Sequence, residues 1–173
     1  MLIRPQSEKV ETRQDGPVKR LPSELIQALI NMPTESEGIA PFSLALRHAF
    51  QEIIDCSFPN IGFVAGRQVG KTTFLGNRAL IRSCFRNDLK TLIVHPTQAQ
   101  SRTFSRDRLE QPLFFSPQLQ TLKGTNNDDA IMYKKFQTRS SITLRYAFLS
   151  ANRIRGVPAD NLQIDEFQDM LPD

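Results

Sequence analysis

The sequence predicts an α/β domain built on a mostly parallel sheet covered by helices. Two patterns carry that expectation. From residue 60 onward, short β-rich apolar runs alternate with helix-length segments, as crossover connections between parallel strands require. A glycine-marked turn also joins the first of those strands to the first of those helices.

The elements follow in order. Residues 1–22 mix charges of both signs with Pro5, Gly16 and Pro17 and lack an apolar period, so they read as a flexible arm. Ser23 is placed to cap a short amphipathic helix, Glu24 to Met32, with Leu25, Ile26, Leu29 and Ile30 on one side. Pro33 to Pro41 reads as a polar connector, and Phe42 to Asp55 as a second helix with Leu44, Leu46, Phe50, Ile53 and Ile54 facing the core. Asn60 to Ala65 is a short buried strand, followed by a helix from Lys71 to about Asn87. Thr91 to His95 is the next strand, ended by Pro96. A helix from Ser101 to Phe115 should break near Pro112. Ile131–Phe136 and Ser141–Phe148 read as paired strands, and Asn161–Asp165 as the last one. The expected organisation is therefore 1–41, an arm with a short helix, and 42–173, the α/β unit.

Composition narrows the class. At 173 residues the chain can bury one core, and 39% apolar with 23% charged residues argues against global disorder. The formal charge of +4 favours an anionic partner only mildly. Cys56, Cys84, His48 and His95 lack zinc-site spacing. There is no secretory h-region and no apolar run long enough to span a bilayer, so a soluble intracellular protein without membrane partners is expected.

The strongest chemical signal is Ala65-Gly66-Arg67-Gln68-Val69-Gly70-Lys71-Thr72-Thr73. It fits G-x-x-x-x-G-K-[ST] except at its first position, where Ala65 replaces glycine. Such a loop turns backbone N–H groups of Gly66, Gln68, Val69 and Gly70 inward as an anion nest, and the following helix adds its positive end. Lys71 would then reach the β- and γ-phosphates of ATP, and the Thr72 hydroxyl would ligate Mg²⁺, with Thr73 completing the loop. The second signal is Leu162-Gln163-Ile164-Asp165-Glu166, an apolar strand ending in two acids. Asp165 suits Mg²⁺, and Glu166 suits the orientation of an attacking water. A base beside the metal acid is the arrangement of motor NTPases that hydrolyse ATP, so an ASCE-type P-loop three-layer sandwich is the expected fold.

Together these residues resemble the ATPase domain of large terminase subunits, the motors that package DNA into tailed-phage capsids. The likeness runs from about Phe42 to Asp169 and rests on three motifs in order. Gly66 to Thr73 is similar to their phosphate loop. Pro96 to Arg102 is similar to the segment after their second strand. Ile154 to Glu166 is similar to their Arg-Gly stretch leading into the acidic strand. The resemblance implies that Arg67 acts as a finger within the subunit and Arg155 reaches a neighbour's nucleotide. It also implies that Gln51 reads adenine, though the spacing there differs. It further implies double-stranded DNA, a portal protein and a small terminase subunit as partners, a homo-oligomeric ring, and work in the cytoplasm of an infected host cell. The family's coupling motif and nuclease carboxylates do not occur before Asp173, so the expectation is a sandwich incomplete at its C-terminus, in a fragment or truncated frame. A helicase or translocase fragment and a non-catalytic ATP-binding module stay open as alternatives.

Other residues carry weaker signals. Arg78, Arg82 and Arg86 share a helix face, for which a solvated stripe is preferred to a DNA path. For Arg102, Arg106 and Arg108 both readings stand. Lys134 and Lys135 read as exposed edge charges, Phe114 and Phe115 as core, and Asp169 as surface. His95, directly before Pro96, has little to mark it as catalytic.

Overall fold

The computed structural model describes residues 20–34, 38–45, 47–66, 68–124, 129–147, 152 and 154–170. The arm predicted for residues 1–22 lies outside these up to residue 19.

The first helix, α1, spans Pro22–Leu29 and starts earlier than the sequence suggests. Leu21 takes the cap position, Pro22 supplies a first-turn φ, and Glu24 accepts the Leu21 N–H at 3.2 Å. Ser23 is not the cap: its N–H and hydroxyl both bond Asp55, at 2.8 and 2.5 Å, which ties α1 to the end of α2 (His48–Asp55). The predicted polar connector is instead an antiparallel hairpin of β1 (Asn31–Thr34) and β2 (Gly38–Pro41). Asn31 fastens it to the Ser116 hydroxyl and the Phe115 carbonyl. The second helix is shorter than expected because the Leu44 N–H is taken by the Gln27 side chain of α1, not by a helical carbonyl.

The main sheet has the order β4-β5-β6-β3-β7. Its strands are Asp129–Ala130, Tyr133–Lys135, Ser141–Tyr146, Lys90–His95 and Asn161–Ile164 respectively. The longer ladders, β3 with β6 and β3 with β7, are parallel, while β4 and β5 add on antiparallel. This is a mixed α/β architecture with a mostly parallel sheet. Alternation along β3 explains its central place. Ile93 faces the cluster of Ile26, Leu80, Leu109 and Leu144, whereas Leu92 and Val94 face Ala147, Ile154, Val157 and Met170.

Residues 60–65 depart most from expectation. They form no strand, and Val64 is almost wholly exposed. A strand exists through its ladder, and β7, at the sheet edge, pairs only with β3. What holds the segment is Phe63, whose ring lies 5.1 Å from Phe50 of α2 and 6.4 Å from Phe74 of α3 (Lys71–Phe85).

The long helix after β3 is continuous in direction but changes pitch. A capping box of Thr97 and Gln100 starts α4 (Gln98–Phe104), which runs into a π-helical turn, Ser105–Glu110, and then α5 (Gln111–Phe115). The predicted break at Pro112 is absent. The wide turn before it, with Gln111 N–H bonded to the Arg106 carbonyl, lets the proline enter at the start of α5. A short α6 (Pro117–Gln120) follows. Among the described residues no helix is long and apolar enough to cross a membrane.

Three side-chain expectations are corrected. Lys134 is 2% exposed, its ammonium donating to Glu110 at 2.8 Å and to the Ala130 carbonyl at 2.9 Å, because β5 lies under the π-turn and not at a free edge. Phe114 is 70% exposed and rests edge-on against Phe115. The stripe of Arg78, Arg82 and Arg86 is half-buried and not a solvated face; burial lowers the Arg78 pKa.

Breaking the Lys134–Glu110 contact from one side leaves a buried ammonium short of its carboxylate. Glu110→Ala should therefore destabilise by about 1–3 kcal/mol, while Lys134→Met should cost less than about 1 kcal/mol. Urea midpoints of the two variants check the order. Equal losses would show that Glu110 acts through packing alone.

Candidate functional site: a cleft between the glycine turn and the acidic strand end

Gly70 caps α3 in a left-handed conformation, φ 94°, which explains a glycine directly before Lys71. Gln68 is also left-handed, at φ 60°. Gly66 has neither a positive φ nor a close neighbour, so this conformation places no such demand there. The Lys71 ammonium donates to the Ala65 carbonyl at 2.8 Å and the Gly66 carbonyl at 3.0 Å, so the loop holds its own lysine. Thr72 and Thr73 begin the helix half-buried, while Gln68 and Val69 are exposed.

Across from this helix start, β7 ends at Ile164. Asp165 is 6% exposed and its N–H bonds the Val94 carbonyl at 3.0 Å, which fixes it to β3. Glu166 then takes φ 53°. In an extended strand successive side chains oppose each other; this left-handed residue turns the chain, and both acids line the same cleft. The cleft holds about 380 Å³, and its walls include Thr72, His95, Gln100, Thr103, Phe104, Asp107 and Arg108 besides the two acids. Thr72 lines this cleft together with Asp165, so the start of α3 and the end of β7 meet there. Gln168 bonds Glu166, and the Asp169 N–H bonds the Glu166 carbonyl at 3.0 Å.

The electrostatics follow from burial. Desolvation raises the Asp165 pKa and Glu166 adds repulsion, against which the Thr72 hydroxyl, the Glu166 N–H and Lys71 act. His95, which little in the chain's pattern singles out, lines the cleft beside it. Its ring packs on Phe104 with centroids 4.7 Å apart, and burial pushes its pKa down to about 4. At neutral pH the ring is therefore uncharged, and its 4.0 Å approach to Asp165 is not an ion pair. The tautomer follows from Ser101, whose single proton goes to the Arg145 carbonyl at 3.0 Å; its oxygen then accepts from His95 Nδ1–H at 3.3 Å. Nε2 is left as a bare acceptor, buried without a hydrogen-bond partner among the described residues.

Not every expected residue reaches the cleft. Arg155 is exposed, beside Gly156 at φ 75°. Gln51 is half-buried on α2 and is not part of the cleft wall. Arg67 lies outside the described residues. In the other direction the structure adds His95, Asp107 and Arg108. Only the coincidence of a histidine at a strand end with Ser101 six residues later hinted at the first.

Among the described residues no group of three or more His, Cys, Asp or Glu could hold a metal ion. The Thr72 and Asp165 oxygens, which line one cleft, nevertheless suit Mg²⁺, which takes few protein ligands and completes its shell with phosphate and water. The helix start that follows the glycine turn and the two carboxylates thus share one cleft of a mixed α/β fold. The family model for the phage terminase large subunit gpA, ATPase domain, matches residues 39–173, and the chain belongs to that family. A search of curated proteins finds no match.

Because the folded state binds the His95 proton only near pH 4 and the unfolded chain near 6.5, acid favours unfolding across that interval. Stability should fall by up to about 3 kcal/mol from this group as pH drops from 6.5 towards 4. His95→Gln should flatten that part of the curve, as read from urea midpoints at successive pH values. An unchanged slope would place the acid sensitivity elsewhere.

Proposed function

We propose that this chain binds ATP with Mg²⁺ and hydrolyses it, as the motor part of an apparatus that drives double-stranded DNA into a viral procapsid. The observation that carries the reading is that Thr72, Asp165 and Glu166 line one cleft. Membership of the terminase ATPase-domain family supports the packaging role.

In this reading the triphosphate enters along Gly66 to Thr73, and the Lys71 ammonium exchanges the carbonyls of Ala65 and Gly66 for phosphate oxygens. Thr72 and Asp165 would hold Mg²⁺, which would supply positive charge to offset that of the triphosphate. Glu166 accepts a hydrogen bond from the attacking water and orients it in line with the terminal phosphorus. Arg67 supplies positive charge from within the subunit. Arg155, exposed on its turn, is available to a neighbour's nucleotide. Gln51 reads the adenine edge. The physiological setting is a homo-oligomeric ring in the host cytoplasm, docked to a portal protein and fed DNA by a small terminase subunit.

Lys71→Ala should weaken binding of a fluorescent ATP analogue at least about 100-fold, since it removes a charge-assisted contact. Glu166→Gln should bind the analogue as the wild type does and lower phosphate release by a factor on the order of 10²–10⁴. Wild-type turnover in Glu166→Gln would remove the proposed chemistry.

A further inference from the structure

Charged side chains on the π-helical turn divide unequally. Arg106 pairs with Asp107 at 3.0 Å, and Glu110 pairs with Lys134 at 2.8 Å. Arg108 has no hydrogen bond or ion pair with any described residue, yet it is half-buried and lines the cleft with Thr72, Asp165 and Glu166. An unpaired guanidinium removed in part from water is costly unless an anion meets it.

Its position is built and not incidental. Arg108 packs its backbone against Gly76, where a Cβ would lie 2.7 Å from the Arg108 carbonyl oxygen and 3.0 Å from its Cβ. Gly76 follows Thr72 by four residues, so the two share one face of α3. The π-turn therefore sets Arg108 about one helical turn along α3 from Thr72. Single π-turns put an extra residue into a helix, and here that widening falls on the segment that carries the arginine.

We propose that Arg108 is an anion-binding residue of this cleft, supplying from within the same chain a guanidinium to the terminal phosphate of a bound nucleoside triphosphate. The assignment rests on the cleft being a nucleotide site. The phosphate chosen is the last one because Arg108 shares its wall with Thr72 and Glu166, whereas Lys71 serves the loop side. Planar, permanently charged and able to give two parallel N–H bonds, arginine fits a phosphate that is present before hydrolysis and gone afterwards.

The full chain tests this with Arg108→Ala and Arg108→Lys, by calorimetry with the magnesium complexes of a non-hydrolysable ATP analogue and of ADP. Arg108→Ala should weaken the analogue on the order of 10- to 100-fold and leave ADP within about twofold. Arg108→Lys should recover part of the loss, with thermal midpoints unchanged. Equal weakening of both nucleotides, or a lowered midpoint in both variants, would make Arg108 structural and overturn the assignment. Unchanged nucleotide affinities with weaker, salt-sensitive binding of a DNA duplex would overturn it in favour of a nucleic-acid contact. Lys71→Ala separates the two levels: if it loses the analogue while Arg108→Ala keeps it, Arg108 alone is misassigned. If the wild type binds neither nucleotide, the reading of the cleft fails and takes this one with it.

Discussion

The meeting of Thr72 and Asp165 in one cleft is the constraint on which the arrangement turns. It joins the start of α3 to the end of β7, elements that are neighbours in space but more than ninety positions apart in sequence. Neither partner could be placed by local structure alone. Asp165 is fixed by its own N–H to Val94 at 3.0 Å, and Thr72 by the left-handed Gly70 that starts its helix. A carboxylate this buried raises its own pKa, so the hydroxyl and the nearby lysine offset part of the cost of keeping it charged.

The turn that delivers Lys71 is held differently. Residues 60–65 have no ladder, and their attachment is the aromatic contact of Phe63 with Phe50 and Phe74. Phe50 and Phe74 themselves lie 5.3 Å apart, so one cluster links α2, the segment before the turn, and α3. Packing of this kind is non-directional. It fixes where the turn sits while leaving its backbone free of sheet geometry, and the loop meanwhile closes on its own lysine through two carbonyls.

Much of this was legible from the chain itself, for identifiable reasons. β3 stood out as a continuous apolar run, and β6 as a run of β-rich composition. The glycine turn and the acidic strand end were legible because their chemistry fixes residue types at fixed spacing. Asn60 to Ala65 misled because an apolar run reports burial potential, and pairing depends on which strand comes alongside. Lys134 misled for a similar reason: a charge in a strand reads as exposed until the Glu110 carboxylate that receives it is known. The hairpin at Asn31–Pro41 lacked alternation, and its Gly38 turn carries the signal only in hindsight. His95 and Arg108 could not be read because each depends on a through-space neighbour, Ser101 with Arg145 for the one and Gly76 for the other.

The charge pattern of the cleft has a direction that its individual groups lack. Asp165 and Glu166 stand on one side as acids, with His95 held neutral beside them and its bare Nε2 turned inward. Lys71 and Arg108 bring positive charge from the turn and from the π-helical segment. Had His95 been protonated, it would have neutralised Asp165 directly; burial prevents that and keeps the carboxylate available to a cation. Had Arg108 been paired as Arg106 is, the cleft would have lacked that free positive charge. A cleft that gathers acids and cationic groups is suited to an outside molecule carrying both signs. A polyanion travelling with a divalent cation has that character, and so the same burial that costs folding energy in the cleft would return it on binding.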